Sequence, residues 1–212
     1  MTVARSHDHG FSIIEATIVL AVIAVLTGAV APSVSRTLSQ GRLARAHNDV
    51  QAIRTALHNV LTEHTLFVPF TSTGAFDGDP IEVLVSDGDI PFSAIGATAW
   101  DDPVACCAGA VDVAFLEAHL VTNTGLGAAG SYSVGAGGWR GAYINAPVDP
   151  DPWGNRYAVN TDYLKTTTTN DVFVLSAGPD EEIDTEFTFN GARPGDDDII
   201  AIVRRDDGLV VP

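Results

Sequence analysis

The sequence predicts an α+β protein in which one long N-terminal helix packs against a small antiparallel sheet. Two observations predict this class. An apolar stretch begins at Phe11 and passes into a region of helical spacing that runs to about residue 63. From residue 141 onward, short β-rich runs alternate with Pro, Gly, Asn and Asp, which is typical of an antiparallel meander with one buried face. A length of 212 residues suits one such domain plus a membrane-length segment.

The apolar stretch from Phe11 to Ala31 contains one charged residue, Glu15. As a helix it would measure about 30 Å, which is the thickness of the hydrocarbon core of a bilayer. Pro32 lacks an amide hydrogen and disfavours helix in the residue before it, so we expect a kink or local unwinding over residues 28–32. We interpret residues 11–32 as a transmembrane helix.

Helical spacing resumes after the proline. Apolar residues recur at every third or fourth position, which is typical of an amphipathic helix. We therefore predict that residues 33–65 continue the helix into the globular domain, where it lies against the sheet. The stripe consists of Val34, Leu38, Val50, Ile53, Leu57, Val60 and Leu61.

Glu15 needs a cationic partner, because an unpaired carboxylate inside a membrane costs about 2 kcal/mol or more. Arg5 and Arg36 are both too far along the chain to reach it within a helical turn. Cleavage between Gly10 and Phe11 would create an α-amine one turn from Glu15. Helices of neighbouring copies could then exchange amine and carboxylate, so that each charge neutralises the other.

The stretch GFSIIE at residues 10–15, followed by an apolar run that ends at Pro32, resembles the class III signal of type IV pilins and type II secretion pseudopilins. The resemblance implies that residues 1–10 are a leader, which a membrane prepilin peptidase removes after Gly10, and that Phe11 is N-methylated. It also implies that residues 11–32 form a filament core in which Glu15 sets the register of subunits. A simple membrane anchor with a chance glutamate is the alternative.

The same resemblance implies where the protein acts and with what. The subunit would lie in the inner membrane before assembly and in a periplasmic or cell-surface filament afterwards. Its partners would be further copies of itself, the inner-membrane assembly platform and the minor pseudopilins.

Charge is unevenly distributed along the chain, which has a formal net charge of -16. Residues 66–212 hold 23 of the 27 acidic residues and 6 of the 11 basic ones. Such a domain repels phosphate backbones, so nucleic acid is not an expected partner and divalent cations are.

The arginines of the helix have two interpretations. They either contact acidic faces of neighbouring copies or lie on a solvated face. They are Arg36, Arg42, Arg45 and Arg54. Because Arg36, Arg42 and Arg45 follow the apolar span and only Arg5 precedes it, the positive-inside tendency alone would favour the orientation opposite to the one that the resemblance implies.

Residues 66–140 form a variable region with few clear signals. IEVLV from Ile81 predicts a strand, and VDVAFLEAHL from Val111 favours a short helix. We interpret His119 as a packed or surface histidine. The adjacent Cys106 and Cys107 are either a vicinal disulfide or two thiols, and they have no metal-ligand spacing.

Residues 141–212 contain four predicted strands, AYINAP, RYAVN, DVFVLS and IIAIV. The first two are separated by DPDPWGN at residues 149–155, which predicts a turn with an aromatic plug. The last two are joined by an acidic connection that includes SAGPDEEIDTEF and RPGDDDII. Carboxylates this dense repel one another unless a hard cation collects them, and calcium fits better than zinc because no Cys or His accompanies them. A solvated acidic loop is the alternative.

The ordered motifs DPWGNRY, DVFVLSAGPD and GDDDI resemble the C-terminal part of the major pseudopilin of type II secretion systems, whose loop binds calcium. The resemblance implies that Asp180 and the backbone carbonyl of Ala177 are ligands. It also implies a later pair within Asp196–Asp198, for which we favour Asp197 and Asp198. The chain departs from that family by the longer insertion EEIDTEFTFNGAR and by residues 66–140.

The sequence therefore favours a structural subunit of a type IV pilus-like filament, most closely the pseudopilus of a type II secretion system. The near alternative is a type IV pilus subunit for adhesion, motility or DNA uptake, and the remote one is a membrane-tethered hydrolase. The sequence contains no nucleophile elbow, zinc motif or P-loop. GLGAAG from Gly125 is similar to a dinucleotide-binding fingerprint, but it lacks the strand that must precede one. We expect no enzymatic activity and assign no catalytic residue.

Overall fold

A computed structural model of the chain describes residues 11–63, 83–93, 100, 113–124, 139–161, 170–187 and 194–204. The predicted leader and the pair Cys106 and Cys107 lie outside these residues. The chain divides into two compact units, Met1–Gly41 and Arg42–Pro212.

The helix α1 extends over Ile13–Glu63 and has 51 residues. The helix continues through Pro32, so the local unwinding expected at residues 28–32 is absent. Proline deprives only the carbonyl of Gly28 of its helical partner, and the turns on either side keep theirs.

In the first unit, α1 exposes every side chain from Ile13 to Gly41. An 18-residue window of the helix has a mean hydropathy of 2.5, and none of that window is buried within the molecule. By length and composition this part of α1 could cross a membrane.

The second unit contains seven short strands and one further helix. The strands are β1 Val83–Val85, β2 Phe92–Ser93, β3 Val113–Phe115, β4 Ala158–Asn160, β5 Val172–Ser176, β6 Glu182–Ile183 and β7 Ile199–Arg204, and the helix is α2 Leu116–Leu120.

The main sheet has the strand order β3-β1-β4-β5-β7. The pairs β1–β4, β4–β5 and β5–β7 are antiparallel, and β3 pairs parallel with β1 at one edge. The predicted combination of a long helix and an antiparallel sheet is therefore confirmed. The strands β2 and β6 form a separate parallel pair.

The C-terminal half of α1 packs on one face of this sheet. It buries a stripe spaced by three and four residues, which is the spacing of one helix face. The opposing side chains are register partners across the strands, such as Leu84 with Val159 and Val174 with Ala201. The buried residues of the helix are Ala46, Val50, Ile53, Ala56, Leu57 and Val60.

Three polar contacts also join this part of α1 to the domain. The hydroxyl of Tyr157, next to β4, donates to Oδ2 of Asp49 at 2.9 Å, and burial together with this bond raises the pKa of Tyr157. Arg45, which pairs with Asp49 within the helix, donates to the carbonyl of Pro150 at 3.5 Å. On the edge strand β7, the carbonyl of Ile202 accepts a hydrogen bond of 2.8 Å from Nε of Arg54.

The other face of the sheet is also covered, which corrects the prediction of one buried face. Strand β5 is buried along its whole length. The cover includes the indole of Trp100, which stacks edge-on against Phe187 with ring centroids 4.9 Å apart. A second core results, whose members are Val83, Val85, Trp100, Ala158, Phe173, Leu175, Ala177, Ile183 and Phe187.

Most predicted strands are confirmed, namely IEVLV as β1, RYAVN as β4, DVFVLS as β5 and IIAIV as β7. VDVAFLEAHL is divided between β3 and α2. The prediction of a strand at AYINAP is wrong. The amides of Tyr143 and Ile144 both donate to the carbonyl of Leu120 at the end of α2, at 2.8 and 3.4 Å, so the segment forms a loop against that helix.

His119 in α2 is a packed histidine. It is 1% exposed, and burial lowers its pKa to about 3. The ring therefore stays neutral at neutral pH.

Candidate functional site

Four carboxylates converge between the end of β5 and the start of β7. Each of them offers an oxygen, and these oxygens all lie within 4.8 Å of one another. Asp184 and Asp197 are half-buried, and Asp180 and Asp196 are exposed. We call Asp180, Asp184, Asp196 and Asp197 the acidic cluster.

Two glycines allow the two halves of the acidic cluster to approach. Gly178 has φ of +74°, and a Cβ atom there would lie 2.5 Å from the carbonyl oxygen of Asp197. A Cβ atom on Gly195 would clash with the backbone of Asp184. The close approach of these segments therefore requires glycine at both positions.

Turn geometry places Asp180 at the edge of the acidic cluster. Its Oδ1 accepts a hydrogen bond of 3.0 Å from the amide of Glu182, which closes a local side-chain turn. Glu181, between Asp180 and Glu182, has a φ of 65°. This left-handed conformation reverses the chain, so that Asp184 lies near Asp180.

The electrostatics of the acidic cluster favour a cation. Burial, followed by the nearby charge of Asp180, raises the pKa of Asp197. Oδ1 of Asp197 is buried without a hydrogen-bond partner among the described residues. A carboxylate oxygen in this situation is stabilised when a positive charge takes the place of lost water.

The acidic cluster fits a hard divalent cation. Calcium binds oxygen ligands at about 2.3–2.6 Å, so two ligands on opposite sides of one ion lie about 5 Å apart. The separations in the acidic cluster are within that distance. All four donors are carboxylate oxygens, which suit calcium better than zinc. These residues could thus hold a metal ion such as calcium.

The structure brings together most of the predicted carboxylate ligands but not all. Asp180, Asp196 and Asp197 are members of the acidic cluster. Asp198 is outside it, and Asp184, which the sequence analysis did not single out, is inside. In the sequence, Asp184 was indicated only by its position four residues after Asp180. The left-handed turn at Glu181 between them is what brings its carboxylate close to that of Asp180.

Asp198 binds backbone amides through one of its two carboxylate oxygens, and its Oδ1 is buried without a hydrogen-bond partner among the described residues. Its Oδ2 accepts hydrogen bonds from the amides of Asp184 at 2.9 Å and Thr185 at 2.6 Å. Burial raises the pKa of Asp198 to about 6, although these two amides act in the opposite direction. Ala177, whose carbonyl was a predicted ligand, has its side chain in the second core and directly precedes Gly178.

The turn at residues 151–155 supports the start of the acidic connection. Oδ1 of Asp151 accepts hydrogen bonds from the amides of Trp153 and Asn155, at 3.0 and 2.9 Å. Its Oδ2 accepts one of 2.7 Å from the hydroxyl of Ser176, the last residue of β5. Sequence indicated the turn, but not its bond to β5.

The predicted assembly residues lie at the other end of the chain. Phe11 is 81% exposed, and Glu15 is exposed in the first turn of α1. Within residues 11–63, Glu15 has no ion-pair partner. Pro32 is inside the helix, and Gly10 lies outside the described residues.

Comparisons with protein-family models, with curated proteins and with solved structures find no match. The likeness to pilins is one of architecture, that of a long apolar N-terminal helix packed on four antiparallel strands.

Proposed function

We propose that this chain is the structural subunit of a type IV pilus-like filament, specifically the pseudopilus of a type II secretion system. The observation that carries the proposal is the contrast within α1. Residues 42–63 bury their apolar stripe against the sheet, whereas residues 13–34 expose apolar side chains on all sides. An exposed surface of this size needs lipid or other apolar helices around it.

Glu15 supports assembly over simple anchoring. It is the one charged residue between Phe11 and Ser35. Removal of residues 1–10 after Gly10 by a prepilin peptidase would leave a methylated amine on Phe11. That amine, on an incoming copy, pairs with Glu15 of a copy already in the filament, so neither charge remains alone among apolar side chains.

Processing is tested by intact mass and N-terminal sequencing of the protein purified from membranes. We expect a mature chain that begins at methylated Phe11. A chain that retains Met1 contradicts the proposal, because no amine then lies near Glu15.

Assembly is tested by substitution in the producing strain. Glu15→Ala should reduce sheared filaments to a small fraction of the wild-type amount, since it leaves the amine of Phe11 without a partner. Thr17→Ala is the matched control, because it removes a polar group from the same exposed part of α1 without a change in charge. Filaments of normal length and abundance from Glu15→Ala would refute the role of Glu15.

The choice of the pseudopilus rests on the motifs around the acidic connection. Deletion of the gene should abolish secretion of folded enzymes through the outer membrane. A deletion strain that secretes normally but loses adhesion, motility or DNA uptake would identify a type IV pilus subunit instead. The partners in our proposal are further copies, the peptidase, the inner-membrane platform and minor pseudopilins.

We also propose that the acidic cluster binds calcium. The ion would neutralise four neighbouring carboxylates and join the two segments between β5 and β7. Calorimetric titration of the full-length chain in mild detergent should show calcium binding, and chelation should lower the melting temperature. Absence of both effects would exclude the calcium site and leave the filament proposal standing.

A further inference from the structure

The parallel strands β1 and β3 end side by side, and their chains then separate. Val85 and Phe115, the last residues of these strands, are register partners. After Phe115 the chain enters α2, whereas after Val85 it turns through Gly88, and Asp89 forms backbone hydrogen bonds with residues 154 and 156. Chains that diverge at the carboxyl ends of neighbouring parallel strands leave room for a ligand between them.

A cavity of about 270 Å³ lies at this divergence, and we call it the strand-end cavity. One water molecule takes up about 30 Å³ of the liquid, so the cavity has room for a chain of several non-hydrogen atoms. It is smaller than the sites of drug-sized ligands, which measure about 300–1,000 Å³. Its size therefore suits one long side chain. The residues that line it are Val85, Ser86, Asp87, Phe115, Glu117 and Val148.

The polar side chains of the strand-end cavity offer a ligand only hydrogen-bond acceptors. Its two charged members, Asp87 and Glu117, are exposed acids. The hydroxyl of Ser86 donates to the carbonyl of Asp87 at 2.8 Å and accepts from the amide of Tyr157 at 2.8 Å, so its hydrogen is already used. Two negative charges repel an anion, and acceptors require a donor. The chemistry of these side chains thus selects a cation that donates hydrogen bonds.

The other lining side chains are apolar and suit the stem of such a cation. Val85, Val148 and Phe115 supply this apolar surface. Phe115 is 60% exposed, which is unusual for a large aromatic side chain unless it takes part in binding. Lysine and arginine combine an apolar stem with a charged donor head. Arginine fits better, because its planar guanidinium both stacks on an aromatic ring and donates to carboxylates.

An open strand edge adjoins the strand-end cavity. Among the described strands, β3 is at one edge of the main sheet, so one of its sides has no partner strand. An edge strand presents amides and carbonyls that an extended peptide can pair with, while the side chains of that peptide enter neighbouring pockets. Phe115 belongs to both the edge strand and the cavity. A peptide paired with β3 would therefore have a side chain within reach of the cavity.

We propose that the strand-end cavity holds an arginine side chain from an extended segment of a partner protein, which adds to β3 as a further strand. The segment comes from a different protein, because neither edge of this chain's own main sheet suits the role. Strand β3 contains no basic residue, and Arg54 already contacts the edge strand β7. The inference rests on neither the calcium site nor the filament, since none of the lining residues belongs to the acidic cluster or to residues 11–41.

Fluorescence anisotropy with a labelled pentapeptide, Thr-Val-Arg-Val-Thr, and the full-length chain in mild detergent tests the charge of the ligand. Replacement of the arginine by uncharged citrulline should weaken binding by about tenfold or more, through the loss of charge-assisted hydrogen bonds. Asp87→Asn and Glu117→Gln should each weaken binding of the arginine peptide by about three- to tenfold. Glu186→Gln is the matched control, since it removes an exposed acid outside the cavity.

N-methylated peptides test whether the segment pairs with β3. In an extended peptide the amides of the two valines point to one side and the amide of the arginine points to the other. A peptide that adds to an edge uses only one of these sides. Methylation of one set of amides should therefore weaken binding by about tenfold or more, and methylation of the other set should change it by less than about threefold.

Spermidine separates a strand from a free amine as the ligand. It carries the positive charge but cannot pair with β3, so we expect it to displace the arginine peptide only at concentrations far above the dissociation constant of that peptide. Spermidine that binds as tightly as the peptide would assign the cavity to small amines and overturn the inference.

Four further results would also overturn it. They are no binding of the arginine peptide at millimolar concentration, equal affinities for the arginine and citrulline peptides, wild-type affinity in both Asp87→Asn and Glu117→Gln, and equal effects of the two N-methylations. The comparisons between peptides use the wild-type chain, so they do not depend on the folding of a variant. None of these results alters the expectations for calcium or for Glu15.

Discussion

Buried His119 should make the globular unit lose stability as the pH falls below neutrality. Burial lowers the pKa of His119 to about 3 in the folded chain, whereas an unfolded histidine titrates near 6.5. Between these values the unfolded chain binds a proton that the folded chain does not. By linkage, the free energy of unfolding then falls as the pH falls from about 6.5 toward 3.

The size of the effect follows from the distance between pH and the unfolded pKa. At pH 5 the imidazole of the unfolded chain is almost fully protonated, and each pH unit below 6.5 is worth about 1.4 kcal/mol. His119 should therefore remove about 2 kcal/mol of stability between pH 7 and pH 5. Asp198, whose pKa is raised to about 6, acts in the opposite direction over part of this range.

Urea unfolding of the full-length chain in mild detergent and chelator measures this quantity. All three tryptophans lie in the unit Arg42–Pro212, so their fluorescence reports on that unit. His119→Gln should lose about 2 kcal/mol less than wild type between pH 7 and pH 5. His47→Gln replaces an exposed histidine and should behave as wild type.

Because Asp198 is present in all three chains, its contribution cancels in the comparison. The reasoning is refuted if His119→Gln keeps the full wild-type dependence on pH. It is also refuted if His47→Gln changes that dependence as much as His119→Gln does.

Three further predictions concern the globular unit. Gly178→Ala should destabilise it by about 2 kcal/mol or more, because the left-handed φ and the carbonyl of Asp197 leave no room for a Cβ atom. Gly41→Ala meets no atom within 4 Å and should be neutral or slightly stabilising in the same urea experiment; equal effects at the two glycines would contradict this. Tyr157→Phe should cost about 1–2 kcal/mol through the lost hydrogen bond to Asp49, and an unchanged urea midpoint would show that this bond contributes nothing. Calcium at 100 times its dissociation constant should add about 2.7 kcal/mol to the wild-type chain, measured as a rise in melting temperature that chelator reverses. The same rise in a chain that carries Asp184→Ala and Asp197→Ala would place the ion elsewhere.

Local sequence patterns were sufficient for the elements with strong periodicity. The spacing of Val50, Ile53 and Leu57 identifies the buried face of α1. The β-rich runs of β5 and β7 were equally clear. The apolar run in β5 is continuous, which indicates burial on both faces, and the prediction of one buried face neglected that signal.

The acidic cluster could be predicted only in part. Sequence placed Asp180 in the same connection as Asp196 and Asp197, so their meeting required no long-range information. The exchange of Asp198 for Asp184 depends on the left-handed conformation of Glu181 and on amides that only the folded segment presents. Tertiary hydrogen bonds thus determine which of the neighbouring aspartates joins the acidic cluster, and composition and spacing do not predict such bonds.

The hydrogen bond from Arg54 to Ile202 covers part of one edge of the main sheet. Strand β7 is an edge of the main sheet, and an edge strand invites strands of other molecules to add to it, with amyloid-like aggregates as the extreme result. A guanidinium from the chain's own helix already occupies one of the edge carbonyls. This arrangement disfavours association between sheets, and in the proposed filament it would leave the apolar N-terminal part of the chain as the surface through which subunits join.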